Sequence, residues 1–135
     1  MLVGENIEMK TILVDAINTF VIKGQGIDQE MFSLLDNFSN RKIILTNADD
    51  EQMKELGLDK MPFEVFTLKH NPDKIDPEYY KKMLSHFGLN AEDVIYFEHN
   101  DDAVKSAQSV GIKTYHFDKD KRDLNALKDF LISEL

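Results

Sequence analysis

Thr11-Ile12-Leu13-Val14-Asp15-Ala16-Ile17-Asn18-Thr19 opens as a short apolar run, rich in β-branched residues, that stops at an acid. A run of that length and composition reads as a strand buried on both faces, ending at Asp15. Four similar runs follow at near-regular intervals: Lys42 to Leu45, Phe63 to Thr67, Val94 to Phe97 and Lys113 to Phe117. Between them the apolar residues keep helical spacing. Met31, Leu34, Leu35 and Phe38 form one set; Tyr80, Met83, Leu84 and Phe87 a second; Val104, Ala107 and Val110 a third. These are one-sided helices, and a last one near Arg122 to Ile132 offers Leu124, Leu127, Phe130 and Leu131 to the sheet. Asp28 suits a helix cap and Pro77 a helix start, while Gly57, Gly88 and Gly111 stand where helices should stop. Strands alternating with helices predict a three-layer α/β/α, Rossmann-like domain with a mainly parallel five-stranded sheet, because right-handed crossovers lay helices on both faces.

At 135 residues, with no repeat, low-complexity tract or linker, the chain reads as a single domain over 1–135. It contains no cysteine, which excludes disulfides, thiolate metal sites and thiol catalysis. A formal net charge of -9 without a basic patch argues against nucleic acid and against anionic membrane surfaces as partners. Residues Met1 to Met9 carry two acids, no base and no long apolar run. That pattern is neither a signal peptide nor a transmembrane segment, so the expected location is the cytoplasm.

Ligands of open parallel sheets bind outside the carboxyl ends of the strands, so polar residues there are the candidates for function. The first strand ends at Asp15, the second at Thr46 and Asn47, and the fourth at Glu98, His99 and Asn100. Each also has a plain structural reading. Asp15 can close a turn with Asn18 and Thr19. Thr46 or Asn47 can cap the helix that contains Met53 and Leu56. Lys74 can be a solvated lysine before a helix, and Asp101 and Asp102 complement the positive end of the helix they start. His70, His86 and His116 read as structural or exposed, and Tyr79, Tyr80 and Phe87 as core packing.

Taken together, these segments resemble the haloacid dehalogenase superfamily. Ile12 to Thr19 is similar to its first motif, an apolar strand followed by Asp-x-Asp-Gly-Thr, and Ile43-Ile44-Leu45-Thr46-Asn47 to its second. Lys74-Ile75-Asp76-Pro77-Glu78 resembles the third, and Val94 to Asn100 the fourth, in which a strand ends in an acidic pair. The resemblance runs from Thr11 to Phe117. It implies a phosphatase-type hydrolase with Asp15 as nucleophile, Thr46 and Lys74 holding the transferring phosphoryl group, and Asn47 beside them as a substrate contact. Mg2+ would sit on Asp15, on the backbone carbonyl at Ile17 and on Glu98. The intervals from Asp15 to Thr46 and from Thr46 to Lys74 leave no room for a cap domain. In this family that implies an open site suited to a bulky or macromolecular phosphate ester, and so to a phosphorylated small molecule or a phosphoprotein.

Two departures bear on activity. Ile17 stands where the family's general acid/base Asp is expected, and that kind of catalysis is typically worth ~100- to 10,000-fold. In the acidic pair, Glu98 keeps a carboxylate, but His99 replaces the second acid and brings no negative charge for magnesium, leaving Asp101 and Asp102 as candidate substitutes. Three readings follow. One is a hydrolase-like domain with weak or lost phosphohydrolase activity that retains a phosphorylated ligand or partner. The others are an active Mg2+-dependent phosphohydrolase and a non-catalytic partner-binding domain. Asn18 stands where the family has Gly, and tolerance of positive φ would preserve the turn.

Overall fold

The computed structural model describes residues 9–135, so all but the last of the opening residues Met1 to Met9 lie outside the described region. In chain order the elements are β1 (Thr11–Asp15), β2 (Val21–Ile22), β3 (Gly26–Ile27), α1 (Gln29–Asp36), β4 (Lys42–Thr46), α2 (Asp50–Glu55), β5 (Glu64–Thr67), α3 (Pro77–Phe87), β6 (Val94–Glu98), α4 (Asp101–Ser109), β7 (Lys113–His116) and α5 (Leu124–Glu134). Five strands form one sheet in the order β5-β4-β1-β6-β7, and every pairing in it is parallel. The chain fills one side of β1 first and then crosses to the other. The strand order therefore reverses at β1, which puts the ligand crevice of an open sheet at its carboxyl end.

Alternation along the strands divides the core into two layers. Ile12 and Val14 of β1, with Ile44, Ile95 and Phe97, pack under Met31 and Leu35 of α1 and Leu127 and Leu131 of α5. Leu13 faces the other way with Ile43, Leu45 and Tyr96, beneath Tyr79, Tyr80, Met83 and Leu84 of α3 and Ala107 of α4. All five residues of β1 are buried, as the central strand of a sheet covered on both faces must be. This is the α/β/α architecture expected from the sequence.

The punctuation also behaves as expected: Asp28 caps α1, Pro77 is the first residue of α3, and Gly88 ends α3 at φ 68°. Among the described residues no helix is long and apolar enough to cross a membrane. Three details differ. The third and fifth strands are each one residue shorter than their apolar runs, beginning at Glu64 and ending at His116. The last helix begins at Leu124 under an Asp123 cap, because Arg122 has a left-handed φ of 46° that no helix accommodates. Finally, β2 and β3 form a separate antiparallel hairpin directly after the β1 turn. Two strands of two residues carry no period that a sequence reading could detect.

Candidate functional site

Register explains how two distant acids meet. Leu13 of β1 lies opposite Tyr96 of β6, and Val14 opposite Phe97. The next residues along, Asp15 and Glu98, fall side by side at the carboxyl ends. By alternation Asp15 projects on the same face as Leu13, and Glu98 on the same face as Tyr96, toward α3 and α4. Lys74 lies just before α3, and its Nζ enters between the acids at 2.7 Å from Asp15 Oδ1 and 2.8 Å from Glu98 Oε1. The Lys74 Nζ also donates to the carbonyl of Leu45 at 3.3 Å. Its backbone is held in turn, since Lys74 N donates to Asn47 Oδ1 at 2.8 Å. The hydroxyl of Tyr79 in α3 ties that helix to the end of β4, donating to the Thr46 carbonyl at 2.8 Å.

The second oxygen of Asp15 is more crowded. Its Oδ2 accepts from the Thr19 hydroxyl at 2.6 Å and from the His99 backbone N–H at 3.2 Å, and His99 Nδ1 lies 2.5 Å away. Glu98 is equally engaged: Oε1 takes Lys74 and the Tyr96 hydroxyl, and Oε2 takes the Asn100 N–H at 3.0 Å. No buried side-chain polar atom among the described residues lacks a partner. A hydrogen-bonded chain thus runs from Tyr80 in the core through Tyr96, Glu98, Lys74 and Asp15 to His99 at the surface of the crevice.

This arrangement sets the charges. Burial works to raise the Asp15 carboxyl, but the Lys74 ammonium and the His99 hydrogen bond outweigh it and hold the group well below the usual carboxylate range. Burial, reinforced by the Asp15 charge, pushes Glu98 up to about 7. Burial also opposes the charge on Lys74, yet its two carboxylate neighbours keep the ammonium well above the ordinary lysine range. For His99 burial disfavours the cation, and the bond to Asp15 more than compensates, so its value is raised. One fixed anion, one fixed cation, a carboxyl group raised to about 7 and an imidazole raised above its ordinary value share the site.

Around them opens a crevice of about 330 Å³ whose lining includes Asp15, Ile17, Thr46, Asn47, Lys74, Glu98 and His99. All six residues singled out from the sequence therefore meet in one place, with His99 beside them. Thr46 does not cap α2. Its Oγ1 accepts from Ala48 N at 3.2 Å, and the cap is Asp49, which forms a capping box with Gln52. Asp101 and Asp102 are exposed in the first turn of α4, and Asp101 pairs with Lys105 at 3.0 Å. The turn after Asp15 persists, with Asn18 at φ 69°.

Several participants escaped the sequence reading. Tyr96 had a signal, since it stands two residues before Glu98 on the same face of one strand. Lys23, from the hairpin, also lines the crevice, as does His70, which is exposed as expected and lies 2.7 Å from Gln52 Oε1. Arg122 had no sequence signal: its guanidinium donates to the carbonyls of Asn18 and Thr19 and pairs with Asp28 at 2.8 Å, clamping the loop after β1.

Asp15, Glu98 and His99 offer ligand-type atoms within 4.8 Å of one another. Magnesium, however, demands near-octahedral oxygen coordination at ~2.0–2.1 Å. Every carboxylate oxygen here already accepts at least one proton donor, and the His99 ring nitrogen stands against the Asp15 oxygen that a cation would need. The residues present do not fit a magnesium ion in this arrangement.

No protein-family model matches the sequence, and no curated protein matches it. Solved structures do match in fold. A haloacid dehalogenase family enzyme from Bacteroides thetaiotaomicron superposes with a TM-score of 0.70 at 13% identity, over 90% of this chain and 98% of that one. The same enzyme in complex with magnesium and inorganic phosphate gives 0.67 at 14% identity, over 82% and 95%. A haloacid dehalogenase superfamily hydrolase of subfamily IA from Geobacter sulfurreducens gives 0.53 at 20% identity, over 68% of this chain and 47% of that one.

Proposed function

The chain has the haloacid dehalogenase-like fold, and from that premise we propose that it is a phosphatase-type domain that recognises a phosphorylated ligand and turns it over slowly or not at all. One observation carries this reading: the carboxylate of Asp15 is already committed. To attack phosphorus, a carboxylate oxygen must aim a free lone pair at the ligand. Asp15 is 1% exposed, its Oδ2 has three donors around it and its Oδ1 holds Lys74. A carboxylate stabilised this strongly is also a weak nucleophile. Ile17, at the position where the family places its general acid/base, can neither protonate a leaving group nor activate water.

Ligand recognition keeps its support. Thr46 faces the crevice, and Lys23 lines it with an ammonium suited to an anion. Among the described residues nothing covers the crevice, which suits a phosphate carried on a large molecule. A phosphoprotein is therefore as acceptable an occupant as a phosphorylated metabolite.

The test pairs two measurements. Titration with inorganic phosphate, followed by backbone amide NMR, is expected to shift the signals of Ile17, Thr46 and Asn47. Hydrolysis of p-nitrophenyl phosphate is expected to stay near background with or without magnesium. Turnover that disappears in Asp15→Asn would establish an active phosphohydrolase instead. Amide signals unmoved by phosphate would remove the recognition role.

A further inference from the structure

The misfit with magnesium has a positive counterpart in the same atoms. We propose that Lys74 and His99 together replace the divalent cation, so that this crevice takes its anionic ligand without a metal. The inference rests on the reading above only in taking the crevice as the ligand site.

Lys74 supplies the fixed positive charge. It is 7% exposed and bridges two carboxylates that are 1% and 0% exposed. Such a pair of buried acids needs positive charge beside it, and the Lys74 ammonium, within hydrogen-bond distance of both, offsets one of the two negative charges without an ion from solution. His99 fills the remaining place. Its Nδ1 lies 2.5 Å from Asp15 Oδ2 and 3.4 Å from Glu98 Oε2, the position from which a cation would contact both residues. As an N–H donor the ring satisfies Asp15 in either protonation state, because the tautomer with hydrogen on Nδ1 serves as well as the imidazolium. A cation at ~2.1 Å from the same oxygen would overlap the ring, so His99 must swing out before metal can enter.

The position of the ring is itself fixed. The His99 backbone N–H bonds Asp15, and its carbonyl accepts from His116 Nε2 at 2.8 Å, so the residue is held on both sides of its Cα. With its side chain only 20% exposed, the imidazole closes the floor of the crevice where the family's fourth motif places a second acid.

Wild-type protein settles the first part. Manganese, added as a paramagnetic probe, is expected to leave the amide signals of Asp15, Glu98 and His99 as sharp as those of remote residues. Phosphate titrations in magnesium and in a chelator should superimpose. Broadening confined to those three residues, a zinc-induced shift of the His99 ring signals, or phosphate binding lost on chelation would each overturn the inference. Protein that binds phosphate in neither condition would overturn the recognition role proposed above and this inference with it, whereas phosphate binding that depends on magnesium would overturn this inference alone. His99→Asp supplies the converse. It exchanges the blocking ring for an oxygen ligand, and magnesium at roughly a hundredfold above its dissociation constant should then raise the melting temperature by several degrees, a rise absent from the parent. A folded His99→Asp protein that ignores magnesium would show that the ring is not what excludes the ion.

Discussion

Lys74 and Asp15, from opposite halves of the chain, form a buried ion pair at 2.7 Å, and Glu98 is bound to the same ammonium at 2.8 Å. Lys74 therefore supplies the positive charge at the centre of the sheet edge and links β1, β6 and the entrance to α3. Its removal leaves two acids facing each other in a site with little access to water. Lys74→Met, which keeps the apolar length of the side chain, should destabilise the fold by ~3–5 kcal/mol, the usual consequence of breaking a buried pair from one side. Denaturant melts check this. A loss below about 1 kcal/mol would mean that the pair behaves like an exposed one.

Stability should fall as pH rises through neutrality. Glu98 is raised from an ordinary 4.5 to about 7, so the folded state holds its proton more tightly than the unfolded chain. The resulting stabilisation is complete below about 4.5 and lost as pH rises through about 7. His99, raised above its ordinary 6.5 by its bond to Asp15, acts with the same sign: its stabilisation is present below 6.5 and lost as pH rises through its folded value. Asp15, held low, acts oppositely: its stabilisation is present above 3.8 and disappears only in stronger acid. Thermal melts from pH 4.5 to 9 should therefore decline steadily for the parent. Glu98→Gln should flatten the part of the decline below pH 7. Parallel curves for the two proteins would remove Glu98 as the source.

These residues also mark how far the sequence could be read. The sheet was legible because β1, β4 and β6 are uninterrupted apolar runs, and burial on both faces leaves no other solution for them. The crevice followed, since strands that end in Asp15, Thr46 and Glu98 within a parallel sheet must present those residues at one edge. The occupancy of the site was not legible. Whether His99 faces Asp15 or solvent depends on angstrom-scale backbone placement after β6, which no spacing encodes. The hairpin β2–β3 and the Arg122 clamp were invisible for a related reason: one is too short to carry a period, and the other joins residues from opposite ends of the domain.

Arg122 should prove to be a positioning residue for the loop that follows Asp15. Its guanidinium reaches the carbonyls of Asn18 and Thr19, pairs with Asp28 and lies 5.1 Å from the centre of the Phe117 ring. Charge-assisted bonds of this kind contribute about 1.5–3 kcal/mol each at most, and solvent contact reduces them. Arg122→Ala is expected to destabilise by about 2 kcal/mol and to accelerate amide exchange at Asn18 and Thr19 more than in β4. Uniform acceleration would reduce Arg122 to a general stabiliser. Arg122→Lys keeps the charge without the fork, and should recover the Asp28 pairing but not both carbonyl contacts.

Two substitutions should move the site toward hydrolysis. Ile17 lines the crevice and is only half-buried, so an aspartate there can be solvated and escapes the heavy penalty of a buried unpaired charge. In Ile17→Asp a carboxyl group would stand at the position where the family's phosphatases protonate the leaving oxygen. In His99→Asp the nitrogen beside Asp15 Oδ2 is replaced by an anionic oxygen, freeing that carboxylate and admitting magnesium. Neither change suffices alone, because a proton donor without an oriented phosphate and a bound metal without a proton donor each leave the barrier high. The double variant is expected to hydrolyse p-nitrophenyl phosphate in a magnesium-dependent manner and to exceed both single variants by more than the product of their separate effects. Adding Asp15→Asn should abolish the gain, which ties the activity to the proposed nucleophile. Thermal melts and magnesium binding must accompany the kinetics. A double variant that folds and binds magnesium yet stays as inactive as the parent would show that Ile17 and His99 are not what disables this site, and attention would pass to Lys74, whose hold on Asp15 Oδ1 would then be the remaining restraint on the nucleophile.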